Sequence, residues 1–387
     1  MDTEVQYDGS MNALEGKAMR RRTFLKNTVI GMATFAGTSL TSMGAEGLHA
    51  NESEDREASS GSIAGENVGR PVRVVSIGFL GASTPLKTIE KHIDEEGSRG
   101  VDVVLLPETC RGQNTSSEEP LHGPTVTAMA ALAAKHKTYI AVPIDRRDGS
   151  KRLNTVVMLD RSGQIACTYD KVFPYWDEYR LHPPVIPGDA STVYHADFGR
   201  VGFATCYDAN FPETWKRLSE QGAELVIWPS AYSGGRSLQA HAINHHYYIV
   251  TSSATPDCIV YDITGERLLY RRAKGINISR ITLDLDRGIY HENFNLAKRD
   301  KLLSEHPEDV VQEQAFGLEQ WFVLKAKRPG ISAREMARQY GLEELRHYID
   351  RSRVAIDKRR GWEFAGEAAF PNKSISELEA FSSGKST

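Results

Sequence analysis

The sequence has few cysteines, little net charge and no biased composition. Its four cysteines among 387 residues are too few for a disulfide scaffold. The formal net charge of -4 argues against a protein whose main task is to hold nucleic acid, because such proteins usually carry a basic excess. The chain is 40% hydrophobic and 25% charged, which is ordinary globular composition and excludes a collagen-like or disordered chain.

The most distinctive composition lies near the N-terminus. Residues 20–26 read RRRTFLK, and a modestly apolar run rich in Thr, Gly and Ala follows over residues 27–45. This pattern is typical of a twin-arginine export signal, and the run is too short and too polar for a membrane span of about 20 apolar residues. We therefore expect a signal region over residues 1–50, a polar, flexible linker over residues 51–70, and an exported protein, periplasmic or extracellular, that uses the twin-arginine export machinery. An amphipathic surface segment or a membrane anchor is the alternative interpretation.

From residue 72 onward, short β-branched runs alternate with helical stretches, as in a layered α/β domain. The pattern predicts strands at residues 72–79, 101–106, 139–144, 225–228, 248–252 and 278–285, helices at 85–97, 125–136, 212–222 and 238–247, and hairpins at 154–169, 193–205 and 258–270. The remainder is charged and predicted to be helical, including residues 333–340 and 342–360. We therefore divide the folded chain into a domain over residues 71–300 and a helical C-terminal extension over residues 301–387.

Three short segments place chemically useful side chains at the ends of predicted strands: LLPET with Glu108, YDKVFP with Lys171 and GFATCYDANFPE with Cys206. Cleavage of an amide needs a nucleophile, a proton shuttle and a group that stabilises the oxyanion. A thiol with a pKa of about 8.5 is mostly protonated at neutral pH and needs an activating neighbour. Glu108 can take the proton and Lys171 can supply positive charge, while the backbone N–H of Tyr207 could join the oxyanion hole.

These segments resemble the Glu-Lys-Cys triad of the nitrilase, or carbon–nitrogen hydrolase, superfamily, in the same chain order and at similar intervals. The most specific stretch is CYDANFPETWKRLSEQGAELVIWPSAY, with Cys, Pro-Glu, Gly-Ala and Pro-Ser-Ala in register. The resemblance covers about residues 71–287. It implies a four-layer αββα sandwich without a metal or other cofactor, and a homodimer or a higher homo-oligomer.

The resemblance also implies a mechanism. Cys206 attacks the carbonyl or carbamoyl carbon, Glu108 shuttles protons as ammonia or an amine leaves, and water then cleaves the thioester. The family often places a second glutamate near the substrate, and Glu178 is the candidate here. Tyr207, followed by Asp208, is similar to amidase and carbamoylase branches, whereas nitrilases usually carry Trp-Glu. The implied substrate is therefore a small linear amide or N-carbamoyl compound, with nitrile hydrolysis and acyl transfer as alternatives.

Other interpretations of single residues stay open. His241 and His245 are spaced for one helix face and could bind zinc, although a packing or pocket role competes. Cys110, Cys167 and Cys258 are predicted to be core residues and free thiols, because twin-arginine substrates cross the membrane already folded. The C-terminal residues 331–360 superficially resemble a helix-turn-helix, against which an amphipathic packing role is favoured. The alternative to an enzyme is a non-catalytic binding protein on the same scaffold.

Overall fold

The computed structural model describes residues 67–114 and 116–361. The predicted signal region and most of the predicted linker lie outside the described residues, as does the extension after residue 361. None of the helices in the described ranges combines the length and the apolar character that crossing a membrane requires.

Two six-stranded sheets form the centre of the molecule. The first has the order β12-β1-β2-β3-β4-β5, with β1 at Pro71–Gly78, β2 at Val103–Leu105, β3 at Tyr139–Asp148, β4 at Lys151–Leu159, β5 at Ile165–Asp170 and β12 at Asn277–Asp284. The second has the order β11-β10-β9-β8-β7-β6, with β6 at Val193–Ala196, β7 at Gly199–Phe203, β8 at Leu225–Ser230, β9 at Tyr248–Ser253, β10 at Asp257–Tyr261 and β11 at Arg267–Arg272. In each sheet three neighbouring strands run parallel and the outer strands are antiparallel.

Four helices cover the outer faces of the two sheets. They are α1 at Leu86–Gly97, α2 at Pro124–His136, α3 at Pro212–Glu220 and α4 at Arg236–His245. Alternate residues of β1 show the layering: Val74 points into the core between the sheets, whereas Val75 packs with Ile89 and Met129 of the outer helices. A third core joins α3 and α4 to the second sheet. The predicted four-layer αββα fold is confirmed by this packing, in which each fully buried aliphatic side chain contributes roughly 1.5–3 kcal/mol.

The part of the chain after Arg287, which includes the predicted extension over residues 301–387 and is called the C-terminal extension from here on, contains helices and a small sheet. Its helices are α5 at Leu296–Glu305, α6 at Ala333–Gln339 and α7 at Leu345–Arg360, and its antiparallel sheet has the order β13-β15-β14, with β13 at Gly288–His291, β14 at Val310–Phe316 and β15 at Trp321–Ala326. The predicted helices at residues 333–340 and 342–360 are present, but the sequence did not predict the sheet. One face of β15 joins the core of the sandwich through Trp321 and Val323, while Phe322 and Leu324 pack under the helices of the extension.

Candidate active site

Glu108, Lys171 and Cys206 follow the ends of three strands. Glu108 lies in the loop after β2, Lys171 directly follows β5, and Cys206 begins the turn after β7. The structure brings the three groups together: Lys171 Nζ lies 2.8 Å from Glu108 Oε1, and the Cys206 thiol interacts electrostatically with both charged groups. Each side chain is largely withdrawn from solvent, so these charges act in a medium of low polarity.

The Lys171 ammonium lies between two carboxylates. Besides its contact with Glu108, its Nζ donates a hydrogen bond to Glu178 Oε2 at 2.7 Å, and the lysine side chain is only 1% exposed. Burial by itself lowers the pKa of Lys171, but Glu108, the Cys206 thiol and Glu178 outweigh burial and hold the pKa above its ordinary value. Lys171 is therefore a permanent cation at neutral pH.

Glu178 is held by four donors. Its oxygens accept hydrogen bonds from Lys171, from Gln113 Nε2 at 2.8 Å, from Asn154 Nδ2 at 2.9 Å and from the backbone N–H of Tyr175 at 2.6 Å. Burial raises the pKa of Glu178, but the charge of Lys171 and these hydrogen bonds together keep it below its ordinary value. The structure thus places Glu178 directly against the lysine, with both oxygens engaged.

Glu108 is oriented by donors from both sheets. Its Oε1 accepts from Lys171 and from Asn154 Nδ2, each at 2.8 Å, and its Oε2 accepts from the backbone N–H of Ala231 at 2.9 Å. Ala231 follows β8 of the second sheet, whereas Asn154 belongs to β4 of the first. Asn154 therefore donates to Glu108 and to Glu178 alike and couples the two carboxylates that flank the lysine.

Cys206 occupies a strained turn. Its φ of 45° lies in the left-handed region, which residues other than glycine adopt rarely, and it begins the 3-10 turn Cys206–Asn210. Burial and the nearby Glu108 carboxylate raise the pKa of its thiol to about 12, against the opposing effects of Lys171 and of hydrogen bonds involving Ser230 and Ala231. The resting side chain is therefore a neutral thiol, and it needs a base at the moment it attacks.

Asp208 fastens the cysteine turn to the lysine loop. Its buried carboxylate accepts from the backbone N–H of Thr205 at 2.8 Å, from the backbone N–H of Phe173 at 2.9 Å and from the hydroxyl of Tyr169 at 2.6 Å. Phe173 lies two residues after Lys171, and Thr205 precedes Cys206. One carboxylate thus holds both segments in register, although burial raises its pKa to about 6.

A group of aromatic side chains packs beside the cysteine turn. Tyr207 contacts Tyr175 and Phe211 edge-on at ring-centroid distances of 5.4 Å each, and Phe211 stacks on Phe173 at 3.8 Å. Tyr232 is partly exposed near the thiol, and its pKa is raised to about 12 by burial, then by Cys206 and Glu108. Aromatic rings therefore lie close to the cysteine turn.

The other residues singled out in the sequence lie elsewhere in the packing. The ring of His241 stacks on Trp215 at 4.3 Å, and its Nε2 lies 2.9 Å from the carbonyl oxygen of Ala209. No group of three or more potential metal-binding side chains occurs in the ranges that the structure describes. Cys110 and Cys258 are buried, Cys167 is partly buried, and all three are free thiols.

Sequence reasoning missed Asn154, Gln113 and the backbone N–H of Ala231. Asn154 left a detectable signal, because it is a polar residue that opens the otherwise apolar run TVVML of a buried strand. Gln113 and the backbone N–H of Ala231 left no such signal, because both belong to loops whose shape cannot be read from the sequence. Together the arrangement offers a thiol, an adjacent carboxylate with a defined hydrogen-bond pattern and a fixed cation, which are the groups that acyl transfer requires.

Comparisons with known proteins identify a family and several relatives. The family model described as carbon-nitrogen hydrolase matches residues 81–287. The deaminated glutathione amidase of Synechocystis is 30% identical over 196 residues, covering 44% of this chain and 71% of that protein. The citrullinase of Francisella tularensis is 26% identical over 189 residues, covering 46% and 66%.

The similarity covers only part of this chain and of some of its relatives. The chain spans about half the length of some curated relatives, such as 48% of nitrilase homolog 2 of Dictyostelium discoideum, with which it shares 27% identity over 158 residues and 37% of its own length. Among solved structures, Saccharomyces cerevisiae Nit3, a nitrilase-superfamily member, gives a TM-score of 0.49 at 21% identity, covering 57% of this chain and 93% of that one.

Proposed function

The chain belongs to the carbon–nitrogen hydrolase family, and from this premise we propose that it hydrolyses the C–N bond of linear amides or N-carbamoyl compounds through a cysteine thioester. The membership supports an amidase-type hydrolase, and the relatives named above include an amidase and a citrullinase. The observation that carries the proposal is the position of Lys171, whose ammonium lies between Glu108 and Glu178 beside the Cys206 thiol.

The first half of the reaction forms the thioester. The Cys206 sulfur attacks the substrate carbon while its proton passes to Glu108, because a thiol with a pKa of about 12 is not ionised beforehand. The negative charge that develops on the substrate oxygen is stabilised by the Lys171 ammonium and the backbone N–H of Tyr207. Glu108 then returns the proton to the leaving nitrogen, and ammonia or an amine departs as the C–N bond breaks.

The second half releases the acid. Glu108, again ionised, takes a proton from a water molecule that attacks the thioester carbon, and the C–S bond breaks as the thiolate leaves and recovers that proton. Because Lys171 is held by two carboxylates, it remains an ammonium through both halves and acts as an electrostatic group. Glu178 positions the lysine in this scheme and lies next to the substrate.

Ammonia release from aliphatic amides, carbamoyl amino acids and nitriles tests the reaction and its substrate class. We expect turnover of an amide or a carbamoyl compound, and Cys206→Ala to lower kcat/KM by at least about a thousandfold, since it removes the nucleophile. Hydroxylamine should intercept the thioester and yield a hydroxamate. Cys167→Ser, which changes a partly buried thiol elsewhere, is the control and should keep wild-type turnover. Turnover that survives Cys206→Ala would refute the thioester mechanism.

We further propose that the protein is exported by the twin-arginine machinery and works as a homo-oligomer. The export proposal rests on the motif at residues 20–26, which lie outside the described part of the chain. Replacing Arg21 and Arg22 by lysine should leave the protein in the cytoplasm of a host that otherwise exports it, as cell fractionation would show.

Light scattering of the purified chain should give a mass of at least two copies, and a monomeric mass would contradict the proposal of a homo-oligomer.

A further inference from the structure

A cleft lies at the end of the sandwich away from the thiol. It has a volume of about 740 Å³, within the range of small-molecule pockets, and it separates the sandwich from the C-terminal extension. Arg200, at the start of β7, lines the cleft, whereas Cys206 follows the other end of the same strand, roughly 20 Å away at 3.3 Å per residue. The residues that line the cleft include none of the catalytic groups proposed above.

Arginine and glutamate side chains alternate on this wall of the cleft. Glu224 is buried and is shared by Arg70, by Arg334 at 2.9 Å and by Arg200, whose Nε lies 3.6 Å away. Arg334 also forms a two-pronged pair with Glu344 at 2.8 and 2.6 Å. Three arginines of the lining, Arg70, Arg200 and Arg334, therefore share two glutamates.

The remaining carboxylates of the cleft are already engaged. Glu343 is paired with Arg351 in two hydrogen bonds of 2.8 and 2.9 Å, and Glu335 is paired with Arg338. Asp286 accepts from the hydroxyl of Ser332 and the backbone N–H of Ala333, each at 2.5 Å, so its charge is offset by neutral donors. The arginines and carboxylates of the lining are therefore nearly balanced in number, and Arg200 is the lining arginine with the longest contact to its carboxylate.

Two donors at this cleft lack good partners. The guanidinium of Arg200 is one third exposed and makes no hydrogen bond within residues 67–114 and 116–361; its contact with Glu224, at 3.6 Å, is too long for one. The hydroxyl of Tyr290 is buried, lies in the same charged surroundings as Arg334 and Glu344, and has no hydrogen-bond partner in those same ranges. Such a buried donor is uncommon in a folded protein and points to a missing acceptor.

We propose that the cleft binds a small organic molecule through an anionic group, a carboxylate or a phosphate, with Arg200 and Tyr290 as the donors that the ligand satisfies. A guanidinium fork matches the two oxygens of either group and gives directional, charge-assisted hydrogen bonds. The cleft is larger than an inorganic anion, which leaves room for an organic part alongside Leu342 and Ile331. A bound anion also lowers the repulsion among Arg200, Arg334 and Arg346.

Two variants separate ligand binding from a purely structural role. Tyr290→Phe removes a hydroxyl that has no partner in the described ranges, so it should leave the melting temperature of the ligand-free protein within about 1 °C of wild type. Arg200→Gln removes a long contact to Glu224 but keeps the backbone hydrogen bond of residue 200 to that carboxylate. Arg267→Gln, on the exposed strand β11, is the matched control.

The test is thermal unfolding of the full chain with inorganic phosphate or citrate, each against sodium chloride at equal ionic strength. At ten times Kd we expect a rise of about 3 °C in Tm for at least one anion, and at least a tenfold weaker Kd for Arg200→Gln and for Tyr290→Phe, with no change for Arg267→Gln. A response to phosphate alone identifies a phosphate ligand, and a response to citrate alone a carboxylate.

The proposal fails if neither anion raises Tm beyond the chloride series, or if both cleft variants respond like wild type. Running the titration also in Cys206→Ala keeps the result independent of catalysis, because that variant lacks the proposed nucleophile but retains the cleft. Anion binding that persists in Cys206→Ala while amide hydrolysis is lost supports both inferences, whereas wild-type protein that hydrolyses amides without binding either anion refutes only the cleft proposal.

Discussion

Cys206 and Glu108 share one proton in the proposed mechanism. The thiol is held neutral by burial and by the carboxylate that is meant to deprotonate it, while Lys171 opposes both effects. Glu108 therefore does two things to the thiol: its negative charge suppresses the resting thiolate, and its lone pair accepts the proton during attack. Removing the charge of Glu108 should therefore make the thiol ionise more easily but leave the reaction without its base. A single variant at Glu108 separates the two effects.

Glu108→Gln should lower amide turnover while raising the intrinsic reactivity of the thiol. Without the carboxylate the pKa of Cys206 falls, because Lys171 remains beside it, so alkylation by iodoacetamide at pH 8 should become faster than in wild type. Hydrolysis should fall by about 10²- to 10⁴-fold because the general base is gone. Alkylation is followed by mass spectrometry and turnover by ammonia release.

The control for this experiment is Glu90→Gln, which changes a partly exposed glutamate of α1 that pairs with the exposed Lys87. It should alter neither rate. If Glu108→Gln slowed alkylation and hydrolysis in parallel, the carboxylate would be supporting the position of the cysteine rather than acting as its base.

Asn154 is expected to position Glu108 and Glu178. Asn154→Ala removes the donor that holds both carboxylates, so kcat should fall by roughly ten- to a hundredfold with little change in KM. Asn154→Asp should be worse, because it replaces a donor with a third carboxylate beside Glu108 and Glu178, and the repulsion should move the acid limb of the pH–kcat profile upward. Asn293→Ala, in an exposed turn, is the control. A profile unchanged in Asn154→Asp would remove Asn154 from this role.

Some residues of the site could be identified from the sequence, and others only from the structure. The side chains that carry chemistry sit in the short motifs PET, YDK and TCYD, so pattern and chemistry identified them as candidates before any coordinates. Asn154 and the N–H of Ala231 reach Glu108 only because β4 and the loop after β8 come together from different sheets. Contacts of that kind depend on tertiary geometry, which a single sequence does not encode locally.

At the scale of the elements, the end of α4 is where we expect acid to destabilise the folded protein. It is followed by His246 in the left-handed conformation, with Nδ1 3.1 Å from the carbonyl oxygen of Ile263. Burial lowers the pKa of His246 to about 4, whereas an unfolded histidine titrates near pH 6.5. Burial also lowers the pKa of the neighbouring His245, to about 3.

The sign of the effect follows from proton binding. As pH falls below 6.5, His246 binds a proton in the unfolded chain, but in the folded chain it binds one only near pH 4. The free energy of unfolding therefore decreases between pH 6.5 and pH 4. His246 alone should contribute a loss of about 3 kcal/mol. His246→Asn keeps a residue that tolerates the left-handed conformation and should flatten this acid limb, measured by urea unfolding at pH 7, 5.5 and 4.5. His122→Asn, at an exposed position, should not; parallel curves for wild type and His246→Asn would contradict the assignment.

Elements with strong periodicity were predictable and those with mixed character were not. The buried runs at residues 225–228 and 248–252 were found because they are short, β-branched and bounded by helices. The strands β14 and β15 lie among charged residues, and β15 is apolar on both faces because it joins two cores, so the sequence QEQAFGLEQWFVLKA did not show the alternation of a half-buried strand. Tertiary context, rather than local propensity, makes this segment a sheet.

At the scale of the whole molecule, Arg287 fastens the extension to the sandwich. It is the last residue matched by the family model and directly precedes β13. Its guanidinium pairs with Asp262 and donates to the hydroxyl of Tyr248 at 2.8 Å on the sandwich side, and to Glu313 of β14 at 2.7 Å on the other. The Asp262 side chain is 1% exposed, so this pair is shielded from water and salt.

Arg287→Met should therefore destabilise the entire chain and not the extension alone. Removing one partner leaves the Asp262 carboxylate buried without its cation, which costs about 3–5 kcal/mol. Because Trp321 and Val323 of β15 belong to the core of the sandwich, the extension cannot detach while that core stays closed, and urea unfolding should show one transition shifted to lower urea. Arg328→Ala, which breaks an exposed pair with Asp309, should leave the urea midpoint close to that of wild type. Two separate transitions in Arg287→Met would instead mean that the extension folds independently of the sandwich.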